Sequence, residues 1–116
     1  MSQAFWTKFF YFSASYSRLD QTHGHNFTLG VTVEYSDKMD EATFINQIEV
    51  ALVQKIHSRD LSMHVDFLKN IEITDYNLLK IFSEIISRQI KPVKLHSVSL
   101  ERDPRTKLLL LATDLL

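Results

Sequence analysis

FSASYSRLDQTHGHNFTLGVTVEY, residues 12–35, is the stretch whose reading decides the fold. Its second half alternates: Phe27, Leu29, Val31 and Val33 fall on one face, and Asn26, Thr28, Thr32 and Glu34 fall on the other. That period of two predicts a half-buried strand over 26–35. Upstream, FWTKFFYFSASY (5–16) is rich in aromatic residues and predicts a partner strand. Between the two, SRLDQTHG (17–24) reads as a polar connector of hairpin length, which makes the strands antiparallel neighbours. His23 and His25 then lie near the end of the connector. In an extended backbone, positions i and i+2 share a face, so the pair can offer two imidazoles to one metal, with Gly24 leaving the backbone open between them.

Beyond Asp40 the period changes. Phe44, Ile45, Ile48, Leu52 and Ile56 recur at three and four residues, predicting an amphipathic helix over 41–57 with Asp40 as its N-cap. SRDLSMHVDFLKNIEI (58–73) has no clear period and reads as a connector. Thr74 or Asp75 can cap a second helix carrying Leu78, Leu79, Phe82, Ile85, Ile86 and Ile90, and Pro92 stops it. Residues 94–102 and 106–113 read as a final hairpin turning at Asp103-Pro104-Arg105. The order ββααββ predicts one α+β domain over 1–116, a four-stranded antiparallel sheet with two helices on one face. Phe9 to Phe12 and Leu108 to Leu111 are apolar on consecutive positions and therefore on both faces. A homo-oligomer whose subunits join their sheets would cover the second face.

Composition narrows the function classes. The chain has 116 residues, a net charge of −1 and no cysteine, so thiolate metal sites and cysteine nucleophiles are excluded. Mixed charge without a basic patch argues against nucleic acid and against an acidic membrane surface. The start MSQAFWTKFF lacks a signal-peptide layout and no apolar run reaches spanning length, so a soluble cytoplasmic protein is expected.

The string FSASY, a short polar gap, HGHNF and an alternating strand resemble the opening of the 6-pyruvoyl tetrahydropterin synthase and 6-carboxy-tetrahydropterin synthase family. The resemblance covers nearly the whole chain and implies the tunnelling fold, in which ββααββ subunits join sheets into barrels as trimers or hexamers. It also implies a zinc cofactor on three histidines, a pterin-like small-molecule partner, and a site lying between subunits. Carried over residue by residue, the three zinc positions fall on Tyr16, His23 and His25, so the first ligand is changed. Tyr16 as phenolate or Asp20 as carboxylate would have to complete the set.

The catalytic positions implied by the resemblance are also altered. The family's cysteine base has Arg18, Leu19 and Asp20 as nearest counterparts, and only Asp20 could accept a proton. The family's Leu-Asp-His string falls on Met63-His64-Val65, leaving His64 and Asp66 as a rearranged acid–imidazole pair. The ligand-binding positions are better matched: Glu101 for the glutamate that anchors the pterin ring, and Thr74 for the threonine opening the second helix, although Tyr76 replaces a nearby glutamate. A carboxylate suits the anchoring role because its two oxygens accept paired N–H donors. Three readings follow: a ligand-binding relative with lost or altered lyase activity, an active zinc-dependent lyase acting on dihydroneopterin triphosphate, or an interaction module with a defunct pocket.

Overall fold

The computed structural model describes residues 3–90 and 93–115. Strands β1 (Phe5–Arg18) and β2 (Gln21–Glu34) form one long antiparallel ribbon, in register from Phe5↔Glu34 to Arg18↔Gln21. The expected connector over 17–24 is therefore mostly strand. Only Leu19 and Asp20 turn the chain, and both have positive φ, 53° and 62°. Left-handed conformation at both central residues is what a two-residue hairpin needs to match the right-handed strand twist. The ribbon's tip is polar because it stands clear of the core: Ser17, Arg18, Leu19, Asp20 and Gln21 are all exposed.

The sheet has five strands rather than four, in the order β3-β1-β2-β4-β5. The addition is β3 (Arg59–Asp60), a two-residue edge strand running parallel to Ala14–Ser15. It lies within the stretch read as a connector, whose Leu61, Val65, Leu68 and Ile73 are buried in the core. Their spacing follows a loop draped over the core, so no single period betrays it. The final hairpin pairs β4 (Leu95–Asp103) with β5 (Thr106–Leu111), and the Asp103 carboxylate accepts the Arg105 N–H at 2.8 Å. The last strand ends at Leu111 rather than 113, in a 3-10 turn over Ala112–Leu115.

The first helix is not uniform. It runs as α1 (Glu41–Ile48), a π-helical turn (Glu49–Val53) and α2 (Gln54–Ile56). Phe44, Ile48, Leu52 and Ile56 are all buried yet repeat strictly every four residues, which on a 3.6-residue helix drifts by about 120° over three steps. The wider π turn takes up that drift and brings Val53 to the core as well. Asp40 caps the helix as expected, its carboxylate accepting the Thr43 N–H at 3.3 Å and the Thr43 hydroxyl at 2.8 Å. Helix α3 (Asp75–Gln89) is capped by Thr74, whose Oγ1 accepts the Asn77 N–H at 3.1 Å. The expected stop, Pro92, lies outside the described residues.

Both helices cover the sheet face formed by Phe10, Phe12, Phe27, Leu29, Val31, Val33, Val98 and Leu100, with Phe12 stacked on Phe27 and edge-on to Phe82. The opposite face carries cross-strand rows. One is Tyr11–Thr28–Glu101–Lys107 and the next is Phe9–Gly30–Ser99–Leu109. A Cβ on Gly30 would lie 2.5 Å from Ser99 Oγ and 3.4 Å from the Phe9 ring, so that row closes only over glycine. Phe9 is 46% exposed, Tyr11 71% and Leu109 50%, leaving this face uncovered in the single chain. Among the described residues no helix is long and apolar enough to cross a membrane.

Candidate functional site

Tyr16 faces His23 directly across the β1–β2 ribbon, and Ala14 faces His25. The three rings gather on the helix-bearing side of the sheet. Tyr16 lies 5.5 Å from His23 and 5.8 Å from His25 by ring centroid, and the imidazoles are 6.4 Å apart and nearly parallel. Tyr16 is buried at 6% exposure, and His25 also meets the Phe27 ring edge-on. His23 and His25 thus share a face, as their spacing led one to expect, and the register brings Tyr16 to the same face. Burial holds the His25 imidazole below its usual value of 6.5, with the Arg102 guanidinium and His23 adding to the effect against weaker opposition from Asp75 and Asp103.

A catalytic zinc takes three imidazole, thiolate or carboxylate ligands and leaves a fourth position open. Among the described residues no three His, Cys, Asp or Glu side chains gather as such a set. Asp20 is carried to the exposed hairpin turn, three residues before His23 along the ribbon, which places it about 10 Å away. The donors on hand are two imidazoles and a buried phenol, and a phenol ordinarily titrates near pKa 10. This set is one strong ligand short and does not fit a zinc centre.

The second cluster lies where β4 meets β5. Between the pairs Glu101↔Lys107 and Asp103↔Thr106, β4 advances two residues while β5 advances one, a bulge that leaves Arg102 as the extra residue. Glu101, Arg102 and Asp103 all line one groove of about 720 Å³, with Tyr11, Thr28 and His25 among its other walls. His25 and Glu101 thus border one groove within a single chain. Glu101 is half-buried and forms no ion pair with another described residue, although Lys107 faces it across the strand pair. Arg102 leans on the start of α3: its Nη2 lies 3.6 Å from Asp75 Oδ2, and its buried Nε has no partner among the described residues.

The remaining expected residues are scattered. Thr74 adjoins Asp75, and its Oγ1 serves as the α3 cap while its hydroxyl proton stays free to donate. Tyr76 is exposed on the first turn of the helix. His64 and Asp66 are both exposed and form no bond with each other; Asp66 lies 3.3 Å from Lys69 Nζ instead. Their loop is shaped by Asp60, whose Oδ1 accepts the N–H of Ser62 and Met63 while its Oδ2 accepts the Ser15 hydroxyl. Sequence reasoning passed over Arg102, although a signal was present. Val98, Leu100 and Arg102 share the core-facing alternation of β4, and a charged residue in that series has to find a purpose or a partner.

No protein-family model and no curated protein sequence matches the chain. Solved structures do. A 6-pyruvoyl tetrahydropterin synthase of Caenorhabditis elegans superposes with a TM-score of 0.83 at 18% identity, covering 97% of this chain and 97% of that one. An uncharacterized protein of Wolinella succinogenes superposes with a TM-score of 0.74 at 15% identity, covering 97% of this chain and 99% of that one. Identity this low establishes the fold alone. The architecture is that of the tunnelling fold, as the FSASY and HGHNF strings led one to expect.

Proposed function

We propose that this chain binds a pterin or a purine-like heterocycle in the groove beside Glu101, and that the lyase chemistry of the proteins it resembles is lost or altered. The observation that carries the reading is Glu101 itself: a half-buried carboxylate without an ion partner, one strand from Thr28 and two from the exposed Tyr11 ring. Its two oxygens suit the adjacent amino and ring N–H donors of a 2-aminopyrimidinone edge, and Tyr11 and Phe9 offer flat apolar surface to the ring. The absence of a matched base argues in the same direction. Arg18, Leu19 and Asp20 lie at the hairpin tip, away from the groove, and the His64–Asp66 pair does not close. The incomplete donor set at Tyr16, His23 and His25 supports binding without zinc.

A homo-oligomer belongs to this reading. Among the described residues β5 is a free edge, and β3 with the residues before it takes up β1 from Ser13 onward, whose N–H donates to His57 Nδ1 and whose carbonyl accepts the Ser58 N–H, so β1 from Phe5 to Phe12 is a second free edge. Two long unpaired edges on one twisted sheet support head-to-tail joining into a closed barrel, trimeric or hexameric, which would also cover the Phe9, Tyr11 and Leu109 face.

The test is titration of 7,8-dihydropterin and of guanine into the wild-type protein and Glu101→Ala, followed by calorimetry. Loss of the charged acceptor is expected to weaken binding by about 10- to 100-fold, the range of a hydrogen bond to a charged group. Wild-type protein that binds neither compound would leave the interaction-module reading in its place.

A further inference from the structure

Two side chains adjacent in sequence ordinarily point to opposite sheet faces, so Glu101 and Arg102 should not serve one ligand. Here both residues line one groove with His25, Arg102 from the helix-bearing side and Glu101 from the uncovered side, where β2 and β4 part beyond their last pair, Thr28↔Glu101. Arg102 is also poorly satisfied. Its approach to Asp75 is 3.6 Å, beyond hydrogen-bond length, and its shielded Nε meets no acceptor. A guanidinium has five N–H donors and no acceptor capacity, and an unmet buried donor is costly, so native structures rarely keep one without a use. Its side chain is 36% exposed, which leaves the outer part of the fork within reach of an occupant. Asp75 faces it from α3 and Asp103 and Glu101 adjoin it on β4, so the groove holds more negative than positive charge. A free anion is therefore a poor occupant, and a neutral molecule with clustered acceptors is a good one.

Resting on the pterin-like reading above, we propose that Arg102 is a second ligand-reading residue. Its fork takes the carbonyl-oxygen and ring-nitrogen edge of a fused bicyclic heterocycle whose amino and ring N–H edge is held by Glu101. The chemistry is general: guanine presents O6 and N7 side by side, the pair that arginine grips bidentately, and an oxidised or 7,8-dihydro pterin presents O4 and N5 in the same arrangement. Glu101 alone would accept any 2-amino-pyrimidinone. Arg102 makes the second ring matter, and it disfavours ligands whose N5 carries a proton, such as 5,6,7,8-tetrahydropterins.

The experiment compares pterin with 5-deazapterin, in which N5 is replaced by C–H while the carbonyl, the amino group and the planar ring are kept. Wild type is expected to prefer pterin by about tenfold, in keeping with loss of one bond of a bidentate pair. In Arg102→Met the preference is expected to fall below about threefold while dependence on Glu101 remains. Thermal melting checks that the variant is folded; if it is not, Arg102→Lys keeps a positive charge opposite Asp75 without the fork, and the same collapse is expected. Equal affinity of wild type for the two compounds overturns the role of Arg102 and leaves the Glu101 reading standing, as does a full preference retained in a folded Arg102 variant. Binding of neither compound overturns both.

Discussion

Tyr16 is the residue at which this chain departs most plainly from the proteins it resembles. Its ring lies within 5.8 Å of both imidazoles, so the backbone already delivers position 16 to the place a third ligand would need. Tyr16→His is expected to create a zinc site, raising the metal content from near zero to about one ion per chain, since three imidazoles and a water complete a tetrahedral set. Metal analysis after dialysis against micromolar zinc measures it, and a Tyr16→His protein as metal-free as wild type would mean that the rings cannot converge. His25 gives a second expectation. Its folded-state pKa lies below 6.5, so above about pH 7 the folded and unfolded chains both hold it neutral and it adds no pH dependence. As pH falls through 6.5 the unfolded chain binds the proton first, and stability declines. Melting temperature should drop between pH 7 and 5, and drop less in His25→Asn; identical slopes would remove His25 as a source.

Elements of this fold place chemistry through their irregularities. The bulge in β4 leaves Arg102 unpaired in the ladder, and the π turn after α1 keeps the four-residue repeat on the core. Helix α3 begins at Thr74, whose side chain was expected both to cap the helix and to bind ligand, and it caps. Thr74→Ala should cost about 1 kcal/mol of stability through loss of the cap, and Thr74→Ser should restore most of it. Chemical denaturation gives the stability, and pterin titration of the same proteins separates the roles. Weak binding in a Ser variant of full stability would place the threonine methyl in the ligand's path, and normal binding in Thr74→Ala would confine Thr74 to capping.

For the whole molecule, the uncovered sheet face and the two free edges make a single chain an incomplete object. Leu109→Lys puts a charge into the Phe9–Gly30–Ser99–Leu109 row without touching the helix-covered core. Light scattering is expected to give three or six chains per particle for wild type and one for Leu109→Lys, with unchanged far-ultraviolet circular dichroism. A wild-type monomer at micromolar concentration would refute the barrel. The arrangement also bears on the groove, whose Phe9 and Tyr11 side stays open to solvent in one chain.

Much of this was legible in the residue order, because burial follows period. The alternation of Phe27, Leu29, Val31 and Val33, the repeat from Phe44 to Ile56 and that from Leu78 to Ile90 each mark a face that must leave water. They determined the strands, the helices and the α+β layers, and the i, i+2 spacing determined the shared face of His23 and His25. What depended on register was not legible. The hairpin closes at Leu19 and Asp20, of which only Asp20 is a common turn residue, because fourteen register pairs hold the ribbon together and the turn conforms. β3 is two residues long, too short for a period to show. The β4 bulge exists only as a mismatch between two strands' residue counts, and the meeting of Glu101 and Arg102, from opposite faces of β4, with His25 in one groove was decided by tertiary structure, because β2 and β4 pair only as far as Thr28↔Glu101 and part beyond it.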